Sequence, residues 1–437
     1  MTVPTRIRTE AEATLLQTFE RLKDGLPGDA LARKAAIDLF AAKGMPHRRI
    51  ESWHYTDLRA AMTAAAPVRE PAAGVAPPLP RDGLTEGVRL VVLDGAFRAD
   101  LSDLDRFPLG VSVRPLAEAL ANDDGFSPDP LLDGDDPVFA LNTALTRDGV
   151  VIEIAPGAQV PEPLVIVTAM SGGESQACFA RAIMRVGENA SVTLVEDSSS
   201  LNGGATQSNE ALILTLGAGS KVAHVARVAP RSAKAIHLHS LLTIQAERSE
   251  FQSFSFVADG GLVRRQIFSK LIGENATLGL SGLSLLDGER HADVTLVVDH
   301  AVPHGVSREF YRTILDGQST GVYQGKVVVR PGAQKTDGGM KSNALVLSEG
   351  AAMYNKPELE IFADDVVCGH GATVAQLDED QVFYLSARGL PRAEAEALLV
   401  EAFGAEAIER VGDDRLRDAL AEDLRVWLAR RRAEARS

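Results

Sequence analysis

The segment Asp364-Asp365-Val366-Val367-Cys368-Gly369-His370-Gly371 gathers the side chains best suited to chemistry. On a strand, residues two apart face the same way, so Cys368 and His370 would project together. Thiolate and imidazole are the donors that suit iron–sulfur clusters and zinc. A bland reading stands beside this one: a lone cysteine serves as a small buried hydrophobe, and a lone histidine as a satisfied polar residue. Ligand number constrains the metal reading. A cluster or structural zinc takes about four protein ligands, whereas the chain has two cysteines, Cys178 and Cys368. No four-cysteine site can form within one molecule. A site at Cys368 and His370 would therefore be shared or transient, completed by another chain, a small thiol or distant histidines.

Other groupings carry less. His237-Leu238-His239 has the same-face spacing of strand ligands. His291, followed by Asp293, His300 and His304, would converge only if successive stretches of chain stack on one another. His47 and His54, near Trp53, read as structural or surface residues. Asp364 and Asp365 are adjacent, so on a strand they point to opposite faces and make a poor acid–base pair. Asp337-Gly338-Gly339-Met340-Lys341-Ser342 superficially suggests a phosphate loop, but Met340 stands where glycine must precede the lysine. Neither G-x-S-x-G nor H-E-x-x-H occurs. No catalytic residue and no nucleotide hydrolysis is expected of this chain alone.

The elements that must position these residues fall into three stretches. Residues 10 to 66 read as mostly helical: Leu15, Leu16, Phe19, Leu22 and Leu26 recur at amphipathic spacing. A second helix, from about Leu31 to Lys43, stops at Gly44 with Pro46 beyond it. From Ala66 to Pro80 the chain is rich in Pro, Ala and Gly and reads as a linker. Beyond Val88 come short β-rich runs, among them Val150–Ile154, Ser191–Val195, Leu241–Ile244 and Lys326–Val329, separated by Gly-rich turns. The turn glycines Gly157, Gly187, Gly217, Gly273 and Gly332 are 30, 30, 56 and 59 residues apart. The last two spacings are near twice the first, which sets a period of roughly 28–30 residues and marks a repeat architecture. Strands with turn glycines and no intervening helix favour a β-helix over a leucine-rich horseshoe, and a β-sandwich would not keep that beat. Each turn is too thin to bury its own apolar face and must stack on its neighbours.

From Leu390 the pattern is helical again. Pro391 opens one helix, and Leu416, Leu420, Leu424 and Trp427 share a face of another, running from about Asp414 to Arg432. That face either caps the solenoid or meets a partner. The basic tail around Arg430 suits a helix C-terminus through the dipole. The formal net charge of −15 argues against nucleic acid or anionic membrane as the main partner. The first residues show no secretory signal, no window approaches a membrane span, and the two cysteines form no C-x-x-C pair, so a reducing cytoplasm is the expected compartment.

These residues resemble the SufB/SufD family of the SUF iron–sulfur cluster assembly system, its SufD branch in particular. The carrying segments are Lys356–Ile361, Ala363–Val366, Cys368–Thr373, Gln376–Asp380, Phe383–Leu385 and Arg388-Gly389. Upstream, Gly273–Ala276, His291–Asp293, Pro303-His304, Ser307, Tyr323–Lys326 and Glu51–Asp57 match too. The resemblance implies a right-handed parallel β-helix flanked by α-helical domains. It divides the chain into an N-terminal helical domain and linker (1–85), a β-helix core (86–385) and a C-terminal helical domain (386–437). It further implies a scaffold without catalysis of its own, in complex with a SufB-like paralogue and a SufC-like ATPase that docks on the C-terminal helices. Carried over, Cys368 and His370 lie near the SufB–SufD interface where clusters assemble. No cofactor is tightly bound, and the iron–sulfur cluster is a transient occupant of the complex. One departure stands out: Gly338–Lys341 replaces a glutamine-containing run that usually follows Ala333–Asp337. An unpaired solenoid edge also invites a homodimer in the isolated chain. The rival reading is a secreted β-helix polysaccharide lyase, which the missing signal disfavours.

Overall fold

The computed structural model describes residues 7–69, 78–122, 136–172, 175–201, 203–230 and 232–434. Two sheets, of ten and nine strands, face each other and are filled alternately by the chain. From Asp148 to Ala375 every strand pairs in parallel with the strand two further on, and each residue meets one 26 to 32 residues later. Sixteen strands, two to a turn, make a β-solenoid of about eight turns, as the repeat predicts.

The stacked turns explain the glycine pattern. At one edge each turn holds a residue in the left-handed region: Gly157, Asn189, Gly219, Arg248, Asn275, His304 and Lys335. The spacings of 56 and 59 residues conceal the turns at Arg248 and His304, whose left-handed residue is not glycine. Other turn glycines are needed for close approach. A Cβ at Gly187 would lie 2.5 Å from the Pro156 nitrogen, and one at Gly273 would lie 1.9 Å from the Glu247 nitrogen.

Helices cover the outer faces. Helix α1 (Glu10–Leu22) opens on a capping box at Thr9 and Glu12, and α2 (Ala30–Lys43) ends at Gly44, which takes φ +70°. With the short α3 (Leu58–Ala61) they pack on the nine-strand sheet through Leu15, Phe19, Ile37, Phe40 and Trp53. Two further helices, α4 (Leu116–Ala121) and α5 (Pro137–Leu145), lie between early strands and escape the periodicity. Helix α5 is almost wholly buried, so it shows no polar face; its Asn142 donates to the carbonyls of Ala180 and Asn209. Of the linker expected at 66–80, residues 70–77 lie outside the described residues.

At the other end come α6 (Glu379–Ser386), α7 (Arg392–Ile408) and α8 (Asp414–Glu434). Leu416, Leu420, Leu424 and Trp427 are buried against Val195, Val225, Phe254 and Leu283 of the ten-strand sheet. The apolar stripe is thus spent on the solenoid's flank and not offered to a partner. The basic tail has specific partners besides the helix dipole. Arg430 pairs with Asp259 (2.7 Å) and Asp287 (3.2 Å), and Arg431 pairs with Asp316, three carboxylates that recur at the ends of successive strands. The tail beyond residue 434 lies outside the described residues. Among the described residues no helix is long and apolar enough to cross a membrane.

Candidate functional site

The first turns are floored by apolar side chains such as Leu90, Val92, Ile152, Leu164 and Ile166. In the strand Asp337–Val346, Met340, Ser342 and Ala344 are buried, which fixes the inward parity. The final strand, Val367–Ala375, is in parallel register with it: Gly338 meets Cys368 and Met340 meets His370. Cys368 and His370 therefore occupy inward rows of the last turn, on one face of one strand. The Cys368 Sγ lies over Gly338, 3.4 Å from where a Cβ there would sit. That strand is the edge of its sheet and pairs on one side only. Among the described residues nothing lies over it. Cys368 is half-buried and the strand's other residues are exposed.

Burial raises the Cys368 thiol above its ordinary value, against a hydrogen bond with the Gly338 backbone that acts the other way. It is a protonated thiol at neutral pH, and ligation would release the proton. Asp364 and Asp365 lie in the turn ahead of the strand instead of on it, and Asp365 pairs with Lys335. No group of three or more His, Cys, Asp or Glu arranged for a metal ion occurs among the described residues. Two donors on an open edge can share a metal with a second chain, but they cannot enclose one.

The same parity shows what the sequence reading missed. Beneath His370 the inward row continues Met340, Glu309, Leu280, Ser253 and His224. A second row runs Ala372, Ser342, Tyr311, Gly282, Ser255, Ala226 and Glu196. From the opposite sheet come Asn355, Tyr323, Val294, Arg265, His239 and Glu210. From its middle turns towards the open end the otherwise apolar interior thus carries polar side chains in these rows. Glu196 bonds His224 Nε2 at 2.9 Å and His239 Nε2 at 3.3 Å. Burial opposes its ionisation, but His239 and His224 outweigh that and hold its carboxyl well below the ordinary range. Burial lifts Glu210 and Glu309 to about 8, so both stay largely protonated at neutral pH. Charged residues recurring at one offset in successive repeats were the available signal.

The remaining histidines disperse. His237 and His239 are buried with their rings stacked 6.3 Å apart, but His237 bonds Ser208 at 2.6 Å while His239 turns to Glu196. His291 bonds Thr56 at 2.8 Å, and Asp293 joins the same hydroxyl and Arg264, whose guanidinium lies 3.7 Å over the Trp53 ring. This anchors the Glu51–Asp57 motif to the sheet. His300 is buried, with burial lowering it to about 4, and His304 sits in a turn with φ +63°. Of the grouping His291, Asp293, His300 and His304, the first two meet at the Thr56 hydroxyl, while His300 and His304 lie at the far end of the strand and in the next turn. His47 and His54 lie at the surface segment as read, and Asp337–Lys341 is strand, not a phosphate loop.

A parallel β-solenoid closed at its first turn, bare at its last and carrying a Cys-x-His pair on the bare strand defines the class of protein: a β-solenoid of the assembly-scaffold kind. The comparisons with known proteins name the family. The family model for the SUF system FeS cluster assembly SufBD core domain matches residues 168–403. The iron–sulfur cluster assembly protein SufD of Escherichia coli is 29% identical over 381 residues, covering 86% of this chain and 87% of the relative. A SufBD family protein of Synechocystis is 29% identical over 403 residues, 87% of this chain and 86% of its own length. The chloroplastic protein ABCI7 of Arabidopsis thaliana is 26% identical over 454 residues, 95% and 92% of the two chains. The chain belongs to the SufB/SufD family, is SufD-like, and shares that family's work in iron–sulfur cluster assembly.

Proposed function

We propose that this chain is the scaffold subunit of a SufBCD-type complex, supplying Cys368 and His370 to a cluster assembled transiently at its interface with a SufB-like paralogue. The observation that carries this reading is the pair's place on the unpaired edge strand of the open last turn. An edge strand presents free backbone donors and acceptors that a second solenoid can continue. Ile361, Phe362, Val367 and Val374 are exposed on the same turn and supply apolar area for such a contact. A partner's thiolates or carboxylates would complete the ligand set that two donors leave open.

A SufC-like ATPase would dock on the helical region. Because α8 buries its apolar stripe on the solenoid, docking falls to the outward face, where Phe383, Tyr384, Leu398 and Val426 are exposed. Loading of sulfur and iron belongs to the assembly, with this chain contributing position and ligands. The test is co-purification with SufB-like and SufC-like partners, then anaerobic reconstitution read by absorption. The expected result is a complex with a cluster chromophore that weakens at least severalfold with His370→Ala. A complex whose chromophore ignores both His370→Ala and Cys368→Ser would remove the site while keeping the scaffold. Failure to form a complex would remove the scaffold as well.

A further inference from the structure

On the nine-strand sheet the anchored N-terminal segment leaves a cleft of about 860 Å³, lined among others by Arg48, His54, Tyr55, Lys234, His291 and Tyr354. That is within the size of small-molecule clefts, roughly 300–1,000 Å³. A second hollow of about 460 Å³ adjoins it, shares Arg48, and adds Arg49 and Arg59. In a chain of net charge −15 this is a local reversal of sign. None of these four cations makes an ion pair among the described residues. The one carboxylate lining either hollow, Asp57, is committed to capping α3 by accepting from the Ala60 N–H at 2.9 Å.

We infer that this cleft is a binding site for a small polyanion, a molecule carrying two or more phosphate or carboxylate groups. The two walls each bring a cation: Arg48 stands on the N-terminal segment and Lys234 on the turn ahead of the strand Ile236–Gln245. A ligand with separated anionic groups can engage both at once, which a single surface lysine does not offer. Tyr55 and Tyr354, both in the lining, stack on each other 4.9 Å apart and 18° from parallel and tie the N-terminal segment to the sheet there. An extended polyanion such as nucleic acid or a lipid surface would meet the chain's overall negative field, whereas a compact one would meet only the local cations.

Isothermal titration of the full chain with sodium pyrophosphate and, separately, with citrate tests this at low and high salt. At least one ion should bind one-to-one, weaken with salt, and lose about tenfold or more in affinity in the Arg48→Ala/Lys234→Ala double variant. These side chains are exposed, so thermal melts of the variant should match the parent. Arg425→Ala, an exposed cation paired with Glu401 on another face, should leave binding unchanged. Stronger binding of pyrophosphate assigns phosphate chemistry, and stronger binding of citrate assigns carboxylate. The inference is overturned by no saturable binding of either ion, by binding indifferent to the double variant, or by capture of polyglutamate or anionic vesicles in place of both ions.

Discussion

At its first turn the solenoid buries every residue of Val88–Leu93, adds the antiparallel partners Ala96–Phe97 and Val111–Pro115, and floors the interior with Leu90, Ile152 and Leu164. At its last turn Val367–Ala375 exposes all but Cys368, and the interior beneath holds Glu309, Tyr311, Tyr323 and Ser342. Stacked repeats need a finished surface at each end. One end is finished within the chain. The other is left with free backbone edges and two metal-type donors, the arrangement expected where a second chain supplies the missing turn. Under the proposed function, the difference gives stability to the first turns and assembly to the last.

The sharpest way to break that assignment is to truncate an apolar side chain to alanine at each end. Leu90 is fully buried, so Leu90→Ala should cost about 2–5 kcal/mol through lost transfer energy and a residual cavity. Val374 is 54% exposed on the bare strand, and Val374→Ala should stay within about 0.5 kcal/mol. Urea midpoints of the two variants check this. Similar losses at both ends would mean that the last turn is as much a part of the folding core as the first.

The interiors differ in a way that pH exposes. Glu309 has an ordinary carboxyl value of 4.5 and is raised by burial to about 8 in the fold. Its folded value exceeds its unfolded one, so the stability it contributes is full below about 4.5 and is lost as pH rises through about 8. Glu210 behaves likewise. His237, His239, His291 and His300, all lowered by burial, oppose this trend only where unfolded imidazoles are protonated, so pH 7 to 8 isolates the carboxyls. Stability should fall across that window by up to about 1.4 kcal/mol per pH unit for each group. Glu309→Gln should remove one group's share of the slope in urea midpoints. An unchanged slope would show that Glu309 ionises freely and that the interior near the open end is wet.

The two ends were not equally legible in the sequence. Turn glycines carry the repeat because stacked backbones leave no room for a Cβ at Gly187 or Gly273, and a steric demand that strict leaves a residue-type signature. The turns at Arg248 and His304 place a non-glycine residue in the left-handed region and depart from the glycine spacing, so they pass unseen. Cys368 and His370 were found by same-face spacing, since both lie on one strand. Glu196, His224 and His239 were not grouped, because their contact joins opposite sheets across the interior, and only the register of the turns brings them together. The role of Arg430 and Arg431 escaped for the same reason: Asp259, Asp287 and Asp316 form one row only when the strands stack.

The smallest expected effect separates the two ends most cleanly. His370 is exposed, and Cys368 is half-buried with its thiol over the open space of Gly338. In the isolated chain His370→Ala removes an exposed side chain and should shift stability by no more than about 0.5 kcal/mol, while Cys368→Ser keeps the size of a half-buried side chain and should cost no more than about 1 kcal/mol. The Cys368 thiol is raised by burial, and loss of its proton would destabilise the fold only at alkaline pH, so the serine variant should match the parent at pH 7. If either variant unfolds the isolated chain, the last turn is held together by these side chains, and a loss of cluster in the complex would report folding. If both are neutral alone, the same loss in the complex reports ligation. The bare end is then the part of the molecule whose residues contribute nothing until a partner arrives.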